Sequence, residues 1–364
     1  MKVLAVSSYG VLGGAELSLG VFLDHRPPGV QASALLIEDG PLRAHLSQRG
    51  VPSCAAHGYD GRPTPAQSVR FTRSLLRLLE RERPDVVWAT GLKAAYMAAP
   101  ASRIARVPIV WHKVDFSLDA ILTYPLAAAV NGVVSVSESV AEALRSLRRH
   151  RLLAVIGPPV RLPPELHIAP SERLAIGTLA TLSPIKGQRH IVEAAALLSE
   201  EFPDLRIVLA GAPTLDDPGY PQELRELAGG LGIGNRLELL DFVADVSTVL
   251  ARLTVFVNAT FRDERGFGME GLSGAMLEAS WAGLPVVATS GGGTREGLRD
   301  GVTGTLANPA DPPALAAAIA PYLRDRELAR KTGEAGRRFA RERFSPEVLA
   351  PRLFAALEQV ASTR

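Results

Sequence analysis

With one cysteine in 364 residues, Cys54, the chain can form no internal disulfide. That usage fits a reducing compartment, and a lone cysteine of this kind reads as a small packed residue rather than a nucleophile. Aromatic residues are scarce, at 5%. Neither they nor the charges follow the pattern of a nucleic-acid binder, so no nucleic-acid partner is expected. No stretch reaches the roughly 18 uninterrupted apolar residues of a membrane span. The apolar start, MKVLAVSS, lacks a small-residue cleavage site and runs into a glycine turn, so it reads as a first strand rather than a leader. There is no Asp-x-Asp triplet and no His/Cys cluster with metal-ligand spacing, so neither a metal nor another cofactor is expected. A nicotinamide-dependent dehydrogenase would carry Gly-x-Gly-x-x-Gly after the first strand, and Ser7–Gly14 does not supply it. These absences point to a cytoplasmic protein, at most peripheral at the inner membrane face.

What is present is an ordinary globular composition, 47% hydrophobic and 21% charged. The length exceeds one typical core, so two domains are expected. Net charge is +2 but unevenly spread: residues 1–165 hold nineteen lysines and arginines against thirteen acids, and the remainder is net acidic. Short β-rich apolar runs alternate with helical patterns, the signature of parallel sheets wrapped by helices. In the first half strands are predicted at Val3–Ser7, Ala32–Ile37, Val86–Ala89, Ile109–His112 and Gly132–Val136, with a helix over Ala66–Glu82. Residues 156–170 hold five prolines and cannot be regular helix or central strand, which marks a linker. The alternation then restarts. Strands are predicted at Ala175–Ala180, Arg206–Gly211, Leu237–Leu239, Val255–Asn258, Pro285–Thr289 and Gly304–Ala307, and helices follow at Gly187–Glu200, Pro221–Leu231, Ser273–Ala282 and Pro312–Leu323. Two more helices, Glu327–Arg343 and Pro346–Ala361, complete the pattern. The expected fold is α/β: two Rossmann-like doubly wound domains, 1–165 and 171–345, facing a central cleft beyond the carboxyl ends of their strands.

The most informative segment is EGLSGAMLEASWAGLPVVAT, residues 270–289. Glu270 and Glu278 are eight positions apart across a glycine turn that enters a helix. Eight helical residues rise about 12 Å, roughly the span from a sugar through a diphosphate to a ribose. One carboxylate would hold sugar hydroxyls and the other a ribose diol. The amides of Leu272, Ser273 and Gly274 would lie at the helix N-terminus, where unpaired N–H groups and the dipole favour phosphate. A surface helix with two solvated glutamates has the same spacing.

These residues resemble the donor-site signature of the retaining family-four glycosyltransferases of the GT-B fold. Further boxes follow in the family's order: GGAE at Gly13–Glu16, RPDVVWATG at Arg83–Gly91, VPIVWHK at Val107–Lys113, SVSESVAEAL at Ser135–Leu144, LSPIKG at Leu182–Gly187, LDFVADV at Leu240–Val246 and DGVTGTL at Asp300–Leu306. The resemblance implies retaining, metal-independent transfer of a sugar from a nucleotide-diphosphate sugar, a UDP-sugar by family frequency, to an unidentified acceptor hydroxyl on a glycan, a lipid-linked sugar or a secondary metabolite. It gives Gly13 and Gly14 a place in the loop closing over the diphosphate, and Lys186 the neutralisation of that diphosphate as the bond breaks. His112 would face the donor sugar, although a satisfied core histidine is its plain alternative. Phe242 and Val243 would lie against the nucleobase, with simple packing as theirs. Glu264, near a GFG turn at Gly266–Gly268, is a second candidate sugar contact. The last helix, 346–364, is expected to cross back to the first domain. The cluster Arg145, Arg148, Arg149 and Arg151 resembles basic faces that touch anionic membranes in this family, or simply caps a helix C-terminus.

One departure stands out. The family has Gly-Arg-Leu before its Lys-Gly box, and this chain has Ala180–Thr181–Leu182. A hydroxyl cannot replace a guanidinium fork, so either Lys186 suffices, Arg189 or Arg262 supplies the charge, or donor handling is altered. A nucleotide-sugar epimerase of the same fold and a non-catalytic sugar-nucleotide binder remain as alternatives.

Overall fold

The computed structural model describes residues 1–56, 64–116, 123–145, 151–166, 168, 173–263 and 268–363. Its contacts divide the chain into two compact units, Met1–Arg161 with Phe344–Arg364, and Leu162–Arg343.

The first unit alternates strand and helix: β1 (Lys2–Ser7), α1 (Gly14–Asp24), β2 (Gln31–Leu36), α2 (Pro41–Gln48), β3 (Ser53–Ala55), α3 (Pro65–Glu82), β4 (Val86–Thr90), α4 (Leu92–Ala105), β5 (Ile109–Lys113), α5 (Thr123–Ala129), β6 (Gly132–Ser135), α6 (Glu138–Arg145) and β7 (Leu152–Val155). The strands form one parallel sheet in the order β3-β2-β1-β4-β5-β6-β7. The central strands are apolar along their length because helices cover both faces, which is why VLAV, VVWA and IVW show no alternation. Leu4, Val6, Val87, Ala89, Ile109 and Trp111 meet Phe71, Leu75, Leu79 and Ala98 of α3 and α4 in a single core. Thr64 caps α3 by accepting the Gln67 amide at 3.3 Å, Pro65 opens it, and Arg83 ends it in the left-handed region at φ 48°.

The second unit runs β8 (Ala175–Leu179), α7 (Gln188–Leu197), β9 (Arg206–Ala210), α8 (Tyr220–Gly230), β10 (Leu237–Leu240), α9 (Ser247–Leu250), β11 (Val255–Asn258), α10 (Gly274–Ala282), β12 (Val286–Thr289), β13 (Gly304–Ala307), α11 (Pro312–Arg324) and α12 (Arg326–Phe344). Its sheet is parallel with the order β10-β9-β8-β11-β12-β13. A core of Ile176, Ile191, Val192, Ile207, Leu209, Val255, Val257 and Ile319 fills the space between this sheet and its helices. In α10 every residue from Met276 to Ala282 is buried, so this helix has no solvent stripe.

The last helix, α13 (Pro346–Ala361), belongs to the first unit. Leu349, Leu353, Phe354, Leu357 and Val360 recur at helical spacing and are buried. Arg352 donates to the Val155 carbonyl of β7 at 3.0 Å, and the Val160 amide donates to the Phe344 carbonyl at 3.0 Å.

In both sheets the strand order reverses once, between β1 and β4 and between β8 and β11. At such a switch point the neighbouring connections diverge to opposite faces and leave an opening above the strand ends, where ligands bind in folds of this kind.

Candidate functional site

In the second unit the switch point gathers the polar residues. β8 ends at Leu179, and the chain passes through Thr181 into a short 3-10 turn, Pro184–Lys186, before α7. Gly187 joins the two with φ +69°, and a β-carbon there would lie 2.1 Å from the Ala259 carbonyl oxygen. Only glycine tolerates both that conformation and that approach. The contact presses the Lys186 turn onto the end of β11.

There Lys186 Nζ lies 2.7 Å from Glu270 Oε2, with side chains 27% and 17% exposed. Thr260 Oγ1 donates to the same carboxylate oxygen at 3.1 Å. Thr260 is itself placed by Asn258, whose Oδ1 accepts the Thr260 amide at 3.2 Å, and by Thr289, whose hydroxyl donates to the Thr260 carbonyl. The Glu270 carbonyl accepts the Gly293 amide at 2.9 Å. Glu270 is thus held at backbone and side chain, and its Oε2 takes charge-assisted contacts from a cation and a hydroxyl.

Helix α10 begins after Glu270. Ser273 is its N-cap and accepts the Met276 amide at 3.4 Å, with Gly274 the first helical residue and Leu272 buried just before. The sequence-based ruler of eight helical residues between Glu270 and Glu278 therefore does not apply, because only the second half of that segment is helical. Glu278 is 2% exposed within α10 and engaged with a partner, so it is no solvated surface glutamate.

Other expected residues belong to the same unit. Phe242 follows β10 and is 52% exposed, so it is not core packing. Its amide donates to Asp241 Oδ1 at 2.7 Å, and Val243 beside it is half-buried. Thr181, in the position where the resemblance expects arginine, is exposed, and its carbonyl accepts Gln188 Nε2 at 2.9 Å. Arg189 is engaged along its own helix by Glu193 at 3.0 Å, and Arg262 is exposed with a partner of its own. Glu264, Arg265, Gly266 and Phe267 lie outside the described residues, as do Arg148 and Arg149.

The first unit holds the remaining sequence-predicted groups. Gly13 is the N-cap of α1 and Gly14 its first residue. A group that sequence reasoning passed over covers this turn: Glu16 Oε2 lies 2.7 Å from where a Gly13 β-carbon would be. Glu16 is 8% exposed, and burial pushes its carboxyl up to about 7 against the opposing pull of its own backbone amide. Its place in the sequence, a glutamate in the first turn of a helix, reads as an ordinary dipole partner. Thr260 was also missed; a polar pair, Asn258 and Thr260, at the end of an apolar strand is the signal that marks it.

His112 sits on β5, stacked on Trp88 at 6.1 Å between ring centroids and edge-on to Phe22 at 6.2 Å. It is 4% exposed, and desolvation lowers its pKa to about 4, so the ring is neutral. The Ile156 backbone pulls the other way but outside hydrogen-bond geometry, so both ring nitrogens lack a partner among the described residues. A satisfied core histidine is therefore not what the structure holds. Among the described residues no helix is long and apolar enough to cross a membrane.

Two doubly wound parallel sheets, each with one reversal of strand order, define the GT-B fold. Residues 165–339 match the model for glycosyl transferases group 1, and residues 32–162 match that for glycosyltransferase family 4. The chain belongs to this family. It is similar to the GDP-mannose-dependent alpha-(1-6)-phosphatidylinositol monomannoside mannosyltransferase of Mycobacterium tuberculosis, 27% identical over 80% of this chain and 79% of that enzyme. It is 34% identical to a D-inositol 3-phosphate glycosyltransferase of Geodermatophilus obscurus over 50% of this chain and 41% of that one. Among solved structures, Anabaena HepE in complex with UDP-glucose superposes with a TM-score of 0.85 at 24% identity, covering 99% of this chain and all of the other.

Proposed function

We propose that the chain transfers a sugar from a nucleotide-diphosphate sugar to an acceptor hydroxyl, with retention at the anomeric carbon and without a metal. The carrying observation is the 2.7 Å pair of Lys186 and Glu270 at the β8–β11 switch point. Without donor each satisfies the other. With donor, Lys186 turns to the diphosphate, where charge grows as the glycosidic bond breaks, and Glu270 takes the sugar hydroxyls. The cap of α10, from Leu272 to Gly274, offers amides and the positive end of a dipole to the same phosphates. Exposed Phe242, with Val243, would lie against the base, and buried Glu278 would hold the ribose. In the first unit Gly13 and Gly14 approach the diphosphate, and His112, neutral with two unsatisfied nitrogens, is suited to a sugar hydroxyl.

In the reaction the bond from the anomeric carbon to the diphosphate oxygen breaks while the bond to the acceptor oxygen forms on the same face. The acceptor proton passes to the departing phosphate oxygen. Lys186 and the α10 amides stand in for the metal that other transferases use. A UDP-sugar is the first donor to test, with GDP-mannose as the comparison because the mannosyltransferase relative uses it. Thermal-shift screening of UDP-, GDP- and ADP-sugars, followed by NMR assignment of the product anomer, tests the reading. A folded protein unmoved by every sugar nucleotide, or an inverted product, would overturn it.

A further inference from the structure

A second binding site lies wholly within the first unit and uses none of the residues assigned to the donor. Helices α3, α4 and α5 enclose a groove of about 430 Å³ lined by Thr72, Tyr96, Pro100, Arg103, Pro125 and Leu126, among others. The volume falls within the range of small-ligand sites. The walls are stiff. Pro100 and Pro125 have no rotamer freedom to lose when a guest arrives, and Leu126 is fixed in the core behind them. Tyr96 contributes an aromatic face, 49% exposed. A half-wet ring beside an apolar hollow suits a flat apolar guest that can stack on it.

Two polar groups in this lining are short of partners. Among the described residues Arg103 is the one charged side chain of the groove, and no carboxylate faces it. Its guanidinium has neither an ion pair nor a hydrogen bond among the described residues. A cation in the last turn suits the α4 dipole, which accounts for the charge but not for the hollow beside it. The second group follows from Pro100, which stands inside α4. Proline has no N–H, so the Tyr96 carbonyl four residues earlier loses its helical donor. Tyr96 and Arg103 are two helical turns apart, about 10 Å along the axis. The groove thus offers an acceptor short of its donor toward one end, an unopposed guanidinium toward the other, and apolar walls between.

A sugar or a nucleotide needs more hydrogen-bonding groups than three hydroxyls and one cation supply. A guest without charge leaves the guanidinium unused, and an inorganic anion leaves the walls unused. We infer that the groove binds a small soluble aromatic acid, its rings seated between Tyr96 and the two prolines and its carboxylate in the fork of Arg103. A planar carboxylate takes two parallel N–H bonds from a guanidinium. A two-ring body fills the distance from Tyr96 to Arg103, and a ring hydroxyl or amine on it meets the Tyr96 carbonyl. The inference stands apart from the transferase reading, because it involves no sugar nucleotide.

The test is fluorescence titration of the whole chain with 1-anilinonaphthalene-8-sulfonate, a two-ring anion that brightens when it leaves water. Emission should rise and saturate at a single site per chain, and excess UDP should change nothing. 1-Naphthoate should displace the dye. 1-Naphthylmethanol, with the same rings and no charge, should need about tenfold more, the factor for losing a hydrogen bond to a charged group. Arg103→Gln should weaken the dye and naphthoate by about the same tenfold factor. Thr72→Trp, which fills the groove, should abolish binding. The absence of saturable binding overturns the inference, as does displacement by UDP or parent affinity in a folded Thr72→Trp. Equal competition by naphthoate and the alcohol, or parent affinity in Arg103→Gln, overturns the assignment of an acid. Arg103 is exposed and unpaired, so its variant carries the test even where Thr72→Trp does not fold.

Discussion

Gly187 rests on the backbone of Ala259: a β-carbon at the glycine would stand 2.1 Å from the alanine carbonyl oxygen, with the glycine at φ +69°. The contact ties the lysine turn to the strand that carries Asn258 and Thr260, so it sets the height of Lys186 above the sheet. Gly187→Ala should cost about 2–4 kcal/mol in urea unfolding, through the clash and the left-handed backbone together. A loss below about 0.5 kcal/mol would mean the turn can shift.

Lys186→Ala and Glu270→Ala should each lower kcat/KM by about a hundredfold to a thousandfold, the range for removing a group that meets developing charge. Both side chains keep some solvent contact, so the thermal midpoint should move little. Steady-state kinetics beside a melting curve makes the check. Turnover at the parent rate in either variant would remove the pair from the chemistry.

Phe242→Ala should leave stability within about 0.5 kcal/mol because the ring is half exposed. Donor affinity should fall about fivefold to thirtyfold, by about 1–2 kcal/mol of lost base contact. Titration with the nucleoside diphosphate alone is the measurement. Unaltered affinity would place the base elsewhere.

Glu16 and His112 should give opposite pH slopes of stability. Glu16 is raised from 4.5 to about 7, so its stabilisation is full below about 4.5 and is lost as pH rises through about 7. His112 is lowered from 6.5 to about 4, so its stabilisation is full above about 6.5 and is lost as pH falls through about 4. Between pH 4.5 and 6.5 the two oppose, each by at most about 1.4 kcal/mol per pH unit. Glu16→Gln should therefore stabilise the chain at pH 8 by about 2–3 kcal/mol and leave a stability that falls on acidification. His112→Phe should leave one that falls as pH rises. Parallel denaturation profiles for the two variants would refute the opposition.

Leu353 is fully buried on α13. Leu353→Ala should cost about 2–5 kcal/mol and speed amide exchange in β4 to β7 while β8, β9 and β11 keep their protection. Equal acceleration in both sheets would show that the units do not open separately.

The central strands were legible because parallel strands covered on both faces are continuous apolar runs, and β1, β4, β5, β6, β9, β11 and β12 carry that signal within a residue or two. The edges were not. β3 has three half-buried residues, one of them Ser53, too few to stand out from a loop, and β7, although wholly apolar (LLAV), is a half-buried run of four directly before the proline-rich linker. Spacing alone also misjudged the approach to α10. Glu270 lies on the loop before the Ser273 cap, and its reach toward Lys186 spans 84 positions of sequence, a proximity only the sheet order creates. Glu16 escaped because a first-turn glutamate is common at any helix, and only burial sets this one apart.

Helix α13 lies far along the chain from the strands it covers, and that separation orders the protein's assembly. While the polypeptide is being made, β4 to β7 emerge long before residues 346–361 exist to cover them. The second unit, contiguous from Leu162 to Arg343, has everything it needs earlier. The first unit, translated ahead of the second, is thus the one that matures last, with an apolar flank bare for the time a ribosome takes to add nearly two hundred residues, about ten to forty seconds. During that interval a chaperone would find its target on the strands β4 to β7.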